Sequence, residues 1–281
     1  MIKTRKSVLI LLLILCMAFL LTGCAEEYPD YLYYPPGHGF DRSGYLILAT
    51  SFEDTGLLNS LLASFTAETG RKVMVMPVSN SAAFELGRNG DADILFTNAY
   101  AFEWQFVNDG YAEALHTVLS NNLIIVGPAD GVIFPNNDVL NTFEQILFFN
   151  MPFVSRGDGS SLHLRELQLW RGFYLNHFMN QFYIESFASA RGALYRAVEE
   201  NAFSLTDTAS WLAFADRGNL VVICDEDFRL DNFFNALAVS SSPMLEGADE
   251  FVTWLTSDSA QEIIRHHGTT EHGVSLFSPA N

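Results

Sequence analysis

Lysine is almost missing from this sequence. Of 281 residues, 15 are Lys or Arg and 33 are Asp or Glu. Lys3, Arg5 and Lys6 lie in an N-terminal segment that reads as an export signal, and Lys72 is the only lysine beyond it. Setting those three aside leaves 12 basic side chains, 11 of them Arg, against 33 acids, a balance of −21 over the 258 residues from position 24 onward. So few cations exclude nucleic acid as a partner, because phosphate backbones are held by clustered Lys and Arg. They also exclude a polybasic grip on anionic lipid. Cysteine is equally scarce, with only Cys16, Cys24 and Cys224. Cys16 falls inside the signal and Cys24 at its end, so Cys224 has no partner for an intramolecular disulfide. It closes the run Leu220-Val221-Val222-Ile223-Cys224, a buried-strand pattern that suits a small apolar thiol. P-loop, dinucleotide fingerprint and nucleophile elbow are all lacking.

What is present is enough to build a core. Hydrophobic residues make up 49% of the chain and aromatics 14%, which excludes intrinsic disorder. After the charged start, Ser7 to Leu21 is an apolar run of 15 residues, short of the ~20 that a spanning helix needs. It ends in Leu21-Thr22-Gly23-Cys24, which resembles the lipobox of bacterial lipoproteins. That resemblance implies lipidation at Cys24 and attachment to a bacterial membrane through acyl chains, each buried CH₂ being worth ~0.8 kcal/mol. Residues 1–23 are therefore expected to be a lipoprotein signal peptide. Residues 24–44, rich in Tyr, Pro, Gly and acid without periodicity, are expected to form a flexible tether.

From Tyr45 the chain alternates apolar β-type runs with helical stripes, the pattern of an α/β fold. Strands are expected at Tyr45–Thr50, Lys72–Val78, Ala92–Thr97 and Leu123–Val126, then at Pro152–Ser155, Phe203–Leu205 and Leu220–Cys224. Helices are expected at Leu57–Phe65, Ala82–Leu86, Ser161–Gly172, Arg191–Glu200 and Thr208–Ala215. Ala236–Val239 reads as a strand that returns late to the first unit, followed by one closing helix over Glu250–Arg265. Two α/β units with a late return predict two lobes around a cleft. Lobe I is expected at 45–127 plus 236–281 and lobe II at 128–235.

Three strand ends run straight into hydroxyl-rich loops and helix starts: Thr50-Ser51 through Gly56, Ser155-Arg156-Gly157-Asp158-Gly159-Ser160-Ser161, and Ser204-Leu205-Thr206-Asp207-Thr208. Helix starts present unpaired N–H groups at the positive end of the dipole, Ser and Thr add O–H donors, and together they suit an anion. Each loop alone is also explained by capping, with Asp54, Ser160 and Thr206 as N-caps. Three at consistent strand ends, one carrying Arg156, point to a shared site.

From Leu46 to Pro279 the sequence resembles the tungstate-binding proteins of bacterial ABC transporters, a branch of the type II periplasmic-binding-protein superfamily. The likeness rests on Leu48-Ala49-Thr50 with Asp54-Thr55-Gly56-Leu57-Leu58, Asn89-Gly90-Asp91-Ala92-Asp93, and Ile124-Ile125-Val126-Gly127-Pro128. It continues through Pro152-Phe153-Val154-Ser155-Arg156-Gly157-Asp158, Glu166-Leu167 with Leu169-Trp170, Leu205-Thr206-Asp207, and Trp254-Leu255-Thr256-Ser257. It implies a two-lobed fold, no cofactor and no catalysis, and a monomeric receptor that closes on a small oxyanion and delivers it to an ABC permease. Tungstate is the first candidate and molybdate the second. Tungstate is a tetrahedral dianion with only acceptor oxygens, so its site should offer donors. The resemblance assigns Thr50 and Ser51 to one side and Arg156, with Ser160 nearby, to the other; Ser161, Thr206 and Thr208 join them as candidate donors from the hydroxyl-rich loops.

Several positions depart from the family pattern. The first loop is shorter and holds Phe52 and Glu53, Leu162 replaces a hydroxyl, and Thr208 stands where Arg is usual. His116 and Asn98 replace an Arg and a His. Arg191 and Arg196 are new cations, and Arg191 is expected to compensate in the site. The departures leave an alternative open, a relative that has lost tungstate binding and takes another small ligand. An enzyme built on His266, His267 and His272 with Asp225, Glu226 and Asp227 fits no zinc spacing, and a polar helix end and a solvated turn explain those residues better.

Overall fold

The computed structural model describes residues 31–33, 42, 44–52, 56–172 and 176–280. The expected export signal, the expected lipidation site at Cys24 and most of the expected tether lie outside the described residues. Tyr31–Tyr33 (β1), Tyr45–Thr50 (β2), Lys72–Pro77 (β3) and Ile94–Thr97 (β4) pair in parallel in the order β1-β3-β2-β4. β1 corrects the tether reading: Tyr-Leu-Tyr has the β-type composition to add to the open edge of β3. Arg42 also falls within the expected tether, yet it pairs with buried Asp93 and donates to the Gly90 carbonyl at 3.1 Å. The chain is thus tied to the domain before β2 begins.

β2 reads as an unbroken apolar run because helices cover both faces of the sheet. Leu46 and Leu48 pack with Phe65, Phe251 and Leu255, whereas Ile47 and Ala49 pack with Met74, Phe84 and Phe106. The helices are Leu57–Thr69 (α1), Asn80–Asn89 (α2) and Tyr100–Asn108 (α3). α2 is longer than expected because Ser79 caps it, its side chain accepting the Ala82 N–H. α3 has no periodic apolar stripe. It is anchored instead by buried Glu103, which accepts from Thr97 Oγ1 at 2.7 Å, Ala99 N–H at 2.8 Å and Asn235 Nδ2 at 2.6 Å. Burial pushes the Glu103 carboxyl above its ordinary range against those three donors.

His116–Pro128 (β5) is the spine of the molecule. Its first half pairs with Asp231–Ala238 (β10) and Ser278–Pro279 (β11), and its second half with Phe203–Asp207 (β8) and Leu220–Cys224 (β9). The chain therefore changes lobe inside β5, between Asn122 and Leu123, and returns between Leu230 and Asp231. Both crossings precede the expected boundaries at 127/128 and 235/236. The reason is that Leu123–Val126, a natural end for one sheet by sequence, pairs with strands of the other. Lobe II is completed by Val139–Phe148 (α4), Phe153–Ser155 (β6), Ser161–Gly172 (α5), Tyr183–Glu185 (β7), Ala190–Glu200 (α6) and Thr208–Ala213 (α7). β7, β6 and β8 are parallel, and β6 and β8 are buried on two faces, with Phe153, Phe203 and Leu205 on one side and Val154 on the other.

The closing helix is two helices, Leu245–Leu255 (α8) and Asp258–His266 (α9), followed by the short Thr269–His272 (α10). The break lies at Ser257, whose side chain accepts the Ala260 N–H and starts α9. His266 is exposed and pairs with Glu262 at 2.8 Å, and no cluster of metal-ligating side chains occurs among the described residues. The solvated-turn reading of Asp227 is corrected. It is buried, accepts the Val139 N–H at 2.9 Å and pairs with Arg229. Burial raises its carboxyl, but Arg229 and the backbone donors hold it below the ordinary range. Cys224 lies buried in the lobe II core, which pushes its thiol up to about 12. No helix among the described residues is long and apolar enough to cross a membrane.

Candidate functional site

The C-terminal ends of parallel strands β2, β4 and β6 face one another across a cleft of about 860 Å³. Such strand ends collect ligands because helix N-termini follow them. Here α2, α3 and α5 begin at Asn80, Tyr100 and Ser161, all of which line the cleft. Ser51 enters from the end of β2 and Arg156 from the end of β6.

Arg156 is buried and points its guanidinium at Asp158, with Nε and Nη2 at 3.0 and 2.7 Å from Oδ2. Asp158 Oδ1 accepts the Ser160 N–H at 3.0 Å. Burial pushes the Asp158 carboxyl up, but the Ser160 donors and the Arg156 charge outweigh it and hold the group below its ordinary range. The turn is built on Gly157 at φ +66°, where an added Cβ would sit 2.7 Å from Glu185 Cβ. Gly157→Ala is therefore expected to cost about 2 kcal/mol of stability, measurable by urea unfolding, because left-handed backbone and crowding add.

The floor of the cleft is a chain of amides. Ser51 Oγ donates to Asn80 Oδ1, and Asn80 Nδ2 donates to Asn98 Oδ1 at 3.2 Å and to Ser161 Oγ across the cleft. Asn98 Nδ2 donates to Asn232 Oδ1 at 3.0 Å, and Asn232 Nδ2 to Asn121 Oδ1 at 2.7 Å. Asn121 Nδ2 then donates to Asp207 Oδ1 at 3.1 Å, and Asp207 caps α7 through the Ser210 N–H and hydroxyl at 2.9 and 2.6 Å. Every amide donates toward the Asp207 carboxylate, a head-to-tail order in which each bond polarises the next.

A family model described as a PBP superfamily domain matches residues 36–259. The chain belongs to this superfamily, the periplasmic-binding proteins. It is 30% identical to the tungstate-binding protein TupA of Peptoclostridium acidaminophilum over 288 residues, covering 98% of each chain. It is 27% identical to TupA of Campylobacter jejuni over 76% of this chain and 83% of that one. Among solved structures, the tungstate-binding protein TupA of Desulfovibrio alaskensis G20 matches with a TM-score of 0.74 at 29% identity, over 84% of this chain and 98% of that one. The tungstate ABC transporter structure from Geobacter sulfurreducens matches with a TM-score of 0.68 at 28% identity, over 80% and 99%. The two-lobed type II fold is thus common to this chain and to these TupA proteins.

Against this periplasmic-binding-protein frame, the expected site residues separate into two groups. Ser51, Arg156, Ser160 and Ser161 line the cleft together. Thr50, Thr206, Thr208 and Arg191 are not among its lining residues. Thr50 is buried, gives its hydroxyl proton to the Phe96 carbonyl at 2.6 Å and accepts the Phe52 N–H at 3.0 Å. Thr206 is buried with its backbone paired to Ile124, and its Oγ1 has no hydrogen-bond partner among the described residues. The helix cap expected of Thr206 is made by Asp207. Thr208 is the half-buried first residue of α7, and Arg191 is exposed on α6. Sequence reasoning missed Asn80, Asn121, Asn232 and Arg165 and met Asn98 only as a departure. Arg165 lines the cleft but donates to the Arg229 carbonyl at 2.8 Å. Three acids, Asp158, Asp207 and Asp231, share the cleft with Arg156 and Arg165.

Proposed function

We propose that this chain is an extracytoplasmic solute-binding lipoprotein that takes a small tetrahedral oxyanion, tungstate first and molybdate second, and passes it to an ABC permease. Cys24 would carry the lipid anchor, and the receptor would act as a monomer. One observation supports the ligand class above others: Arg156 lines the cleft with Ser160 and Ser161 of its own lobe and Ser51 of the other, its Nε and Nη2 held by Asp158. Arg suits an oxyanion because its fork gives parallel charge-assisted bonds, and helix N-termini add partial positive charge. The proposed donors are Ser51, Ser160, Ser161 and Arg156.

Titration with tungstate, molybdate and sulfate, followed by thermal unfolding, tests this reading. A ligand at a hundred times its Kd is expected to add ~2.7 kcal/mol of apparent stability. Tungstate should give the largest upward shift, and an unmoved melting curve with tungstate would sink the oxyanion reading. A second reading is favoured by the breadth and lining of the cleft. Its 860 Å³ far exceeds the few water volumes, ~30 Å³ each, that a tetraoxoanion fills. Exposed Tyr100, Phe102, Phe228 and Phe233 also line it. Under that reading the chain is a relative that binds a larger solute with an apolar part, and tungstate is inert.

A further inference from the structure

Asn80 holds a position that a ligand donor set should leave to the ligand. It is the first residue of α2, is 4% exposed, and lies between two serines that come from opposite lobes. Its carbonyl oxygen accepts from Ser51 of lobe I and its amide nitrogen donates to Ser161 of lobe II. Ser51 cannot give the same proton to Asn80 and to an anion. The same amide nitrogen reaches Asn98, and from there the amide chain runs to Asn232 and Asn121. Those last two are register neighbours of the places where β10 and β5 carry the chain between lobes. One side chain therefore joins the candidate ligand hydroxyls to both crossover strands.

We propose that Asn80 is an internal latch: its amide bridges Ser51 and Ser161, holds the two lobes together, and must leave that bridge for an oxyanion to bind. The latch as an oxyanion competitor rests on the oxyanion reading above, whereas the latch as a lobe clamp does not. Displacing the amide breaks the Asn80–Asn98 bond as well, so Asn98, the next link toward the crossover strands, loses its donor when the site fills. The cost to the ligand is the loss of hydrogen bonds already made, each worth on the order of a fewfold to tenfold in an equilibrium constant. Asn80→Ala keeps the helix start, since Ser79 remains its cap.

The test uses the purified full chain in contrast-matched detergent. Small-angle neutron scattering without added ligand is expected to give a larger radius of gyration for Asn80→Ala than for the wild type. Ser161→Ala, which breaks the same bridge from the other lobe, should expand it likewise. Calorimetric titration with sodium tungstate should then show Asn80→Ala binding roughly tenfold more tightly than the wild type. Unchanged radii in both variants overturn the clamp, and equal or weaker tungstate affinity in Asn80→Ala overturns the competition. If the wild type takes up no tungstate, the oxyanion reading and the competition fall together, and scattering alone decides the clamp.

Discussion

Arg156→Met is expected to weaken tungstate binding at least a hundredfold in calorimetric titration. Charge-assisted hydrogen bonds contribute ~1.5–3 kcal/mol each, and a guanidinium fork gives two of them to one oxyanion. Losing both converts to a factor of about a hundred or more. Among the described residues, the other cation that lines the cleft, Arg165, is turned to the Arg229 carbonyl and Gln168, and Arg191 is exposed on α6. Arg156→Lys keeps the charge but loses the fork, so an intermediate loss of roughly tenfold is expected. Asp158→Asn should act in the opposite direction. Asp158 now takes two of the Arg156 donors and sets a carboxylate in the cleft, so neutralising it leaves more positive field for the ligand. Opposite signs at neighbouring positions distinguish a direct contact from general damage to the loop. Were Arg156→Met to bind tungstate within a few fold of the wild type, Arg156 would not hold the anion.

The same residues show what the sequence makes legible. That Arg156 and Ser161 line the cleft was legible because strand, glycine turn and helix start are local features, written within one short stretch. The helices over 161–172 and 190–200 and the strands around 45–50 and 220–224 were legible for the same reason, since burial patterns repeat along the chain. α3 was not, because it depends on Glu103 reaching Asn235. α4 was missed although its signals are local, with Asp138 as cap and Val139, Leu140, Phe143 and Ile146 as the buried stripe. The lobe boundary was misplaced since β5 continues unbroken through both sheets, and an apolar run carries no mark of which neighbour it pairs. The amide chain was invisible for a stronger reason. Asn80, Asn121 and Asn232 lie on three different elements and Asn98 just past the end of β4, and an isolated Asn reads as turn chemistry. Their joint meaning exists only once α2, β4, β5 and β10 meet. Thr50, by contrast, was legible as a hydroxyl at a strand end, but its proton goes to Phe96 within the sheet.

A second large effect is expected from pH, and it comes from Glu166. This carboxyl lies on α5, 2% exposed, against Trp170 and Tyr183. Around it Phe143 meets Trp170 edge to face at 4.4 Å, and Phe153 stacks on Tyr183 at 6.0 Å. Its Oε1 accepts from Tyr183 Oη at 2.7 Å and Trp170 Nε1 at 3.2 Å. Burial pushes Glu166 from its ordinary 4.5 up to about 7, against the pull of Ser155, Tyr183 and Trp170 and with help from the negative Glu185. An acid whose folded value lies above its unfolded one favours folding while both states hold the proton. That stability is complete below about 4.5 and is lost as pH rises through about 7. At ~1.36 kcal/mol per unit the loss is about 3 kcal/mol across this window. Glu166→Gln keeps the acceptor for Tyr183 and Trp170 and removes the titration. Urea unfolding at pH 4.5, 6 and 8 should therefore show the wild type falling relative to Glu166→Gln by about 3 kcal/mol. The difference between the two proteins is the quantity to read, because Glu103, also raised by burial, and Asp158 and Asp227, both lowered, are common to both. Parallel pH profiles would mean that the wild-type carboxyl stays ionised inside its aromatic shell. A carboxylate there would carry a desolvation cost that hydrogen bonds from Ser155, Tyr183 and Trp170 do not offset.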